Sequence, residues 1–166
     1  MFRTTPETYP ARFLAGDAFD DAHLSLTALV PSGPPPVASV STLTELRGRI
    51  SVILASSIFH LFNEEKQSEL CKRLAALLDL RPGSIIFGSH VTKPVKGQRL
   101  SSIGMAFCHS PESWTKMWEE QIFEKGQVKV STLLKELDVI AKGREIAVPG
   151  EEERTSRWLF WSVERL

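Results

Sequence analysis

Two nearly continuous apolar runs, "ISVILA" at 50–55 and "IIFG" at 85–88, bracket a segment with helical periodicity. A strand that is apolar at successive positions is one covered on both faces, as parallel strands of α/β sheets are. Between the runs, Asn63 is a good helix N-cap, and Glu64 and Glu65 fall in the first turn, where the helix dipole favours negative charge. Leu70, Leu74, Leu77 and Leu78 then recur at the spacing of one buried helix face. Pro82 and Gly83 in "DLRPGS" stop the helix. A buried strand–helix–strand unit of this kind restricts the chain to a layered α/β architecture.

The flanking segments extend the pattern. "ARFLAGD" reads as a short apolar strand over 13–15 that turns at Gly16 and Asp17. Pro31, Gly33, Pro34, Pro35 and Pro36 exclude regular structure from a loop spanning 31–48, either an insertion or a polyproline ligand. "KPVKGQRLSSIG" reads as a polar, glycine-containing loop. "HSPESWTKMWEEQIF" opens a second helix, with Ser110 as cap, Pro111 at the first helical position, and Trp114, Met117 and Trp118 on one face. "GQVKVSTLLKEL" alternates as a strand at Val128 and Val130. After a glycine- and charge-rich stretch at 141–154, "SRWLFWSVERL" forms an aromatic closing strand. The order predicts one domain over 1–166, an α/β sheet that is mostly parallel with an antiparallel carboxyl-terminal strand pair.

Charge and composition exclude several function classes. The 166 residues carry 42% hydrophobic side chains, enough for one core, and 20 basic side chains balance 20 acidic ones. No basic surplus points to nucleic acid and no single-sign field to an anionic membrane, so the expected partner is a small molecule or another protein. The amino terminus lacks an apolar core of signal-peptide length, and no run approaches the ~20 residues of a membrane span. A cytoplasmic location is therefore expected. Cys71 and Cys108 read as reduced, buried thiols, and His23, His60, His90 and His109 are too scattered for a metal site.

Ligands of open α/β sheets bind beyond the carboxyl ends of the strands. Three such ends carry polar residues: Gly16 to Phe19, Ser56 to His60, and Gly88 to His90. Each residue has an ordinary alternative. Asp17 suits a turn, Ser56 and Ser57 suit backbone satisfaction at a strand end, and His60 between Phe59 and Leu61 suits packing.

Taken together, "FLAGDAFD", "ILASSIFHLFNEEKQSELCKRLAALL", "PGSIIFGSHV", "FCHSPESWTKMWEE" and "WLFWSVERL" resemble the carboxyl-terminal part of fungal class I S-adenosylmethionine-dependent methyltransferases, especially those of secondary metabolism. The resemblance implies a partial Rossmann-like sheet lacking its first two strands. It implies that Asp17, Ala18 and Phe19 contact the adenine of S-adenosylmethionine, and that Ala55, Ser56 and Ser57 line its methionine end. Phe59 and His60 would then face the reacting centre, with His60 as catalytic base toward an acceptor hydroxyl. His90, Arg99 and Trp114 would belong to the pocket of a small-molecule methyl acceptor.

The family begins with a strand, a glycine-rich turn, a helix, and a second strand ending in an acidic residue. No G-x-G occurs here, and at roughly 30 residues per unit at least two units are absent. In the family's strand order, 3-2-1-4-5-7-6, that absence leaves the 50–55 strand as an open apolar edge. Three expectations follow: a methyltransferase portion incompetent by itself, a non-catalytic relative that binds a partner chain or its own copy through that edge, or a cofactor-free enzyme using His60 and His90.

Overall fold

The computed structural model describes residues 13–33, 39–101, 104–138 and 155–166. Prolines 34–36 and the 141–154 stretch lie outside the described residues. Four strands form one mixed sheet: β1 (Val52–Leu54), β2 (Ile85–Val91), β5 (Val128–Asp138) and β6 (Thr155–Arg165). Their order is β1-β2-β6-β5, so the last strand inserts between β2 and β5 as the family order implies. Only β1 and β2 run parallel, Ile53 opposite Ile86; β2–β6 and β5–β6 are antiparallel. The expected mostly parallel sheet is thus mixed over the described residues, with one parallel ladder and two antiparallel ones.

Helix α1 (Glu64–Leu77) starts where the capping argument puts it, with Asn63 Oδ1 accepting from the Lys66 amide at 2.9 Å. Helix α2 (Pro111–Lys116) is capped by Ser110, whose Oγ accepts from the Ser113 amide at 3.1 Å. It runs on as a wider π-type turn over Met117–Ile122, closed by the Phe123 amide on the Trp118 carbonyl at 3.1 Å. Among the described residues, no helix is long and apolar enough to cross a membrane.

Two local expectations are corrected. Residues 13–15 form no strand, because the apolar run has no ladder partner among the described residues to satisfy its backbone. Residues expected as a loop form a hairpin, β3 (Gly97–Ser101) paired antiparallel with β4 (Gly104–Cys108). Phe107 and Cys108 give β4 an apolar end, and β4 packs on the turn at Phe59–Leu61.

The sheet buries one face. Ile86, Leu159, Trp161 and Val163 point to the side of Phe59, Leu70, Leu78, Trp114, Met117 and Trp118, and together form the core. Cys71 and Cys108 are both buried thiols, and burial raises the Cys71 thiol well above its ordinary range. Since side chains alternate across a strand, Val52, Leu54, Phe87, Leu133 and Phe160 share the other face, where all are exposed.

Candidate functional site

The ends of β1 and β2 are fastened to each other. The Ala55 amide donates to the Phe87 carbonyl at 2.9 Å, and the Ser57 amide to the Ser89 carbonyl at 2.7 Å. Ser56 Oγ lies 2.9 Å from Ser89 Oγ. Gly88 makes this closeness possible, since a Cβ there would sit 2.0 Å from the Ala55 carbonyl oxygen. Ser57 adopts a left-handed backbone, φ 57°, which a serine holds only when its surroundings impose it. Ser56 and Ser57 are exposed at this rim, and Ala55 is buried beneath them.

The chain then turns through Phe59–Leu61, and three rings gather under the rim. Phe59 lies 4.9 Å from Trp114 and 5.6 Å from His90 between ring centroids, and His90 lies 4.6 Å from Trp114. All three are sealed from solvent, at 1% exposure or less. Trp161 Nε1 donates to His90 Nδ1 at 3.0 Å, which fixes His90 as the tautomer protonated at Nε2. Among the described residues that Nε2 has no partner, nor has the buried Nε1 of Trp114. Burial, then the charges of His109 and His60, lower the His90 pKa to about 3.

His60 is half-buried, and its Nδ1 has no hydrogen-bond partner among the described residues. Burial first, and the Arg99 charge second, lower its pKa from the usual 6.5. Arg99 comes from β3, so the hairpin brings a cation to the same end of the molecule. Gln67, almost fully buried, ties hairpin to turn: its Nε2 donates to the Phe62 carbonyl at 2.9 Å and the Phe107 carbonyl at 2.8 Å.

The 17–19 turn approaches from the other side. Asp17 Oδ1 accepts from the Phe19 amide at 2.8 Å, an Asx-type turn that leaves the carboxylate exposed. Phe19 stands edge-on to Phe62, 5.0 Å between centroids, and both Ala18 and Phe19 pack against the core. The structure therefore brings Phe19, Phe62, the Phe59–Leu61 turn, Ser56 and Ser89 into one neighbourhood, with Asp17 at its exposed margin. It sets Phe59, His90 and Trp114 one layer deeper, as packing.

Sequence reasoning passed over His109, which is buried with its Nδ1 3.0 Å from Ser113 Oγ and its pKa lowered to about 4, chiefly by burial. It forms part of a cleft of about 370 Å³ with Glu64, Lys96, Ser110, Ser113 and Met117. Its neighbour Ser110, already legible as a helix cap, was the available signal. Gln67 offered none, because it is an ordinary helix-entry residue until the hairpin is in place.

An α/β half-layer with a polar rim at its strand ends is the setting in which Rossmann-like proteins bind small molecules. No family model matches the chain. Its relatives are methyltransferases. It is 32% identical over 128 residues to the O-methyltransferase phiE of a fungal species, covering 76% of this chain and 37% of that protein. It is 29% identical over 86 residues to the Asnovolin E/Chermesin D methyltransferase nvfJ of Aspergillus novofumigatus, covering 51% and 31% respectively. Two solved structures are similar more loosely. A DhpI–SAH complex has a TM-score of 0.38 at 12% identity, covering 69% of this chain and 47% of that one. The Burkholderia thailandensis 1,6-didemethyltoxoflavin-N1-methyltransferase with bound 1,6-didemethyltoxoflavin and S-adenosylhomocysteine has a TM-score of 0.47 at 11% identity, covering 75% and 49%. The chain is similar to fungal methyltransferases, and spans about a third of the length of the relatives it matches.

Proposed function

We propose that this chain is the carboxyl-terminal portion of an S-adenosylmethionine-dependent methyltransferase of fungal secondary metabolism, acting on a small-molecule acceptor and incompetent without the rest of the sheet. The observation that carries the reading is the convergence of the Ser56–Ser89 rim, the left-handed Ser57 and the Phe19–Phe62 ring pair around His60's turn. These residues fit one flank of such a cofactor. Asp17 offers an exposed acceptor for an exocyclic amine, Phe19 an aromatic edge for a base, and His60 an unpaired buried nitrogen.

When bound, S-adenosylmethionine supplies a methyl group whose S–C bond breaks as the acceptor oxygen bonds to carbon, the electron pair remaining on sulfur. His60 stays neutral at pH 7 because burial and Arg99 hold its pKa low, so it can take the acceptor hydroxyl's proton. A carboxylate acceptor has no such proton to lose. For that class the chain's task reduces to alignment and exclusion of water by Phe59 and the hairpin. His90, Trp114 and Arg99 support the acceptor side through packing and charge. Calorimetric titration tests this: no micromolar binding of the cofactor by these 166 residues, and micromolar binding by a polypeptide extended at the amino terminus to the relatives' length. Equal affinity in both would defeat the claim of incompetence, and no binding in either would defeat the cofactor assignment.

A second reading is favoured by one observation: among the described residues β1 is paired on one side only, with Val52 59% and Leu54 65% exposed beside it. An apolar edge of this kind invites another strand. A non-catalytic protein that binds a partner chain, or its own copy, there would elute as a defined oligomer or complex. A well-folded monomer at all concentrations argues against it.

A further inference from the structure

Residues 17–25 belong to no strand, yet His23 and Leu24 are buried, at 8% and 1% exposure. Helix α1 holds the Leu24 carbonyl through Arg73, while Thr44 holds the His23 carbonyl by its amide at 3.0 Å. Lys66, Glu69 and Arg73 follow one another at helical spacing. Arg73 is itself buried, and its guanidinium serves several acceptors at once. Nε and Nη2 donate to Glu69 Oε1 at 3.1 and 2.9 Å, while Nη1 donates to the Leu24 carbonyl and lies 3.1 Å from Asp21 Oδ1. The other Glu69 oxygen takes Lys66 Nζ at 2.8 Å, and that same Nζ stands 4.4 Å from the centroid of the Phe19 ring. A continuous run of charge thus links a buried guanidinium to the aromatic ring of the 17–19 turn.

We infer that this Lys66–Glu69–Arg73 face is a latch that sets the position of the 17–19 turn, with Arg73 as a positioning residue for the nucleoside end of the cofactor; the cofactor part rests on the methyltransferase reading above. The chemistry of the residues supports the role. A buried charge is retained only when its partners satisfy it, and one partner here is a backbone carbonyl. A carbonyl partner fixes where the chain runs, whereas a carboxylate partner would fix only a charge. The planar guanidinium can reach Leu24, Asp21 and Glu69 together, which an ammonium cannot. Hydrogen bonds from Lys66 and Arg73 hold the Glu69 carboxyl below its ordinary range, so the middle of the latch stays ionised. At the far end, the Lys66 cation meets a ring that already packs on Phe62, and both ends of the segment are gripped by a single helix.

Amide hydrogen exchange on this chain, read residue by residue, tests the latch. Arg73→Met keeps the aliphatic stem but removes every donor. It should speed exchange at the Phe19, His23 and Leu24 amides by about ten- to a hundredfold, since these bond only within the segment, to Asp17 and Asp20. The amides of β2 and β6 should keep their wild-type rates, and Arg73→Lys should recover part of the protection. Unchanged exchange at 19–24 overturns the proposal. So does a uniform loss that includes β2 and β6, which would make Arg73 a plain stability residue. On the amino-terminally extended polypeptide, Arg73→Met should weaken S-adenosylhomocysteine binding about tenfold, and unchanged affinity there overturns the positioning role. If the extended wild type binds none, the cofactor reading fails, and exchange alone decides whether the latch exists.

Discussion

His90→Gln separates the acid sensitivity of the core from that of the surface. His90 must stay neutral for two reasons: its Nδ1 accepts from Trp161, and protonation there would place a cation among Phe59, Trp114 and Trp161. Its pKa of about 3 in the folded chain compares with about 6.5 in the unfolded one. A depressed histidine pKa means that the unfolded chain takes up the proton first. The stabilisation is complete above pH 6.5 and is lost as pH falls toward 3. Each pH unit in that window costs about 1.4 kcal/mol for one such ring, so a descent to pH 4.5 costs roughly 3 kcal/mol through His90 alone. His109, held at about 4, adds a similar loss over the same interval. Two rings then approach the 5–15 kcal/mol that holds a typical small domain together. Glutamine at position 90 keeps an oxygen acceptor for Trp161 Nε1 and does not titrate. Urea unfolding followed by tryptophan fluorescence, from pH 7.5 to 4.5 at fixed ionic strength, should show the variant losing about 3 kcal/mol less than wild type across the range. Surface carboxylates titrate equally in both proteins and cancel in the difference. Parallel pH profiles, or a His90 ring titrating near 6.5 by NMR in the folded chain, would refute the reasoning.

Two further substitutions probe the rim. Gly88→Ala sets a methyl 2.0 Å from the Ala55 carbonyl oxygen and 3.1 Å from the Trp161 ring, so β1 must separate from β2. A loss of at least about 3 kcal/mol is expected, read as a melting point roughly 10 °C lower, and an unchanged melting point would mean that the strands part freely. Ser57→Gly relieves a left-handed serine at an exposed position, and the urea midpoint should rise by an amount worth up to about 1 kcal/mol; a fall would show that the Ser57 side chain, and not its backbone, carries the role.

The elements legible in the sequence were those decided locally. Asn63 and Ser110 announce their helices because capping chemistry needs only the next three residues, and Leu70, Leu77 and Leu78 announce the buried face by spacing. The 128–138 and 155–165 strands were legible by alternation and aromatic content, and their placement beside β2 followed from the family order. The hairpin was missed because "GQRLSSIG" is mostly polar and acquires its strand character from pairing with Met105 and Phe107. The 13–15 segment failed in the opposite sense: its apolar run is strand-like, but a strand needs a neighbour, and none is within the described residues. For the site, the rim at Ser56 and Ser57 was legible as a strand end, whereas the sealing of His90 and Trp114 depends on Trp161, 71 residues away from His90 in sequence.

That missed hairpin bears directly on the candidate base. His60 emerges between a sealed aromatic layer and an exposed rim, so burial alone sets only part of its proton affinity. The second contribution is the positive charge of Arg99, carried by β3, and the hairpin is fastened to the Phe59–Leu61 turn through Gln67 and the Phe107 carbonyl. The element that covers the turn also supplies the second of the two effects that lower the pKa of its imidazole. Each effect acts against the imidazolium, so it keeps the ring neutral at pH 7 and at the same time weakens it as a base. The two can be separated physically: removing the Arg99 charge should let the His60 pKa rise toward 6.5 while leaving its burial intact, whereas loosening Gln67 should relax both together. Coupling between cover and proton affinity follows from the packing alone, and it holds whatever the turn faces.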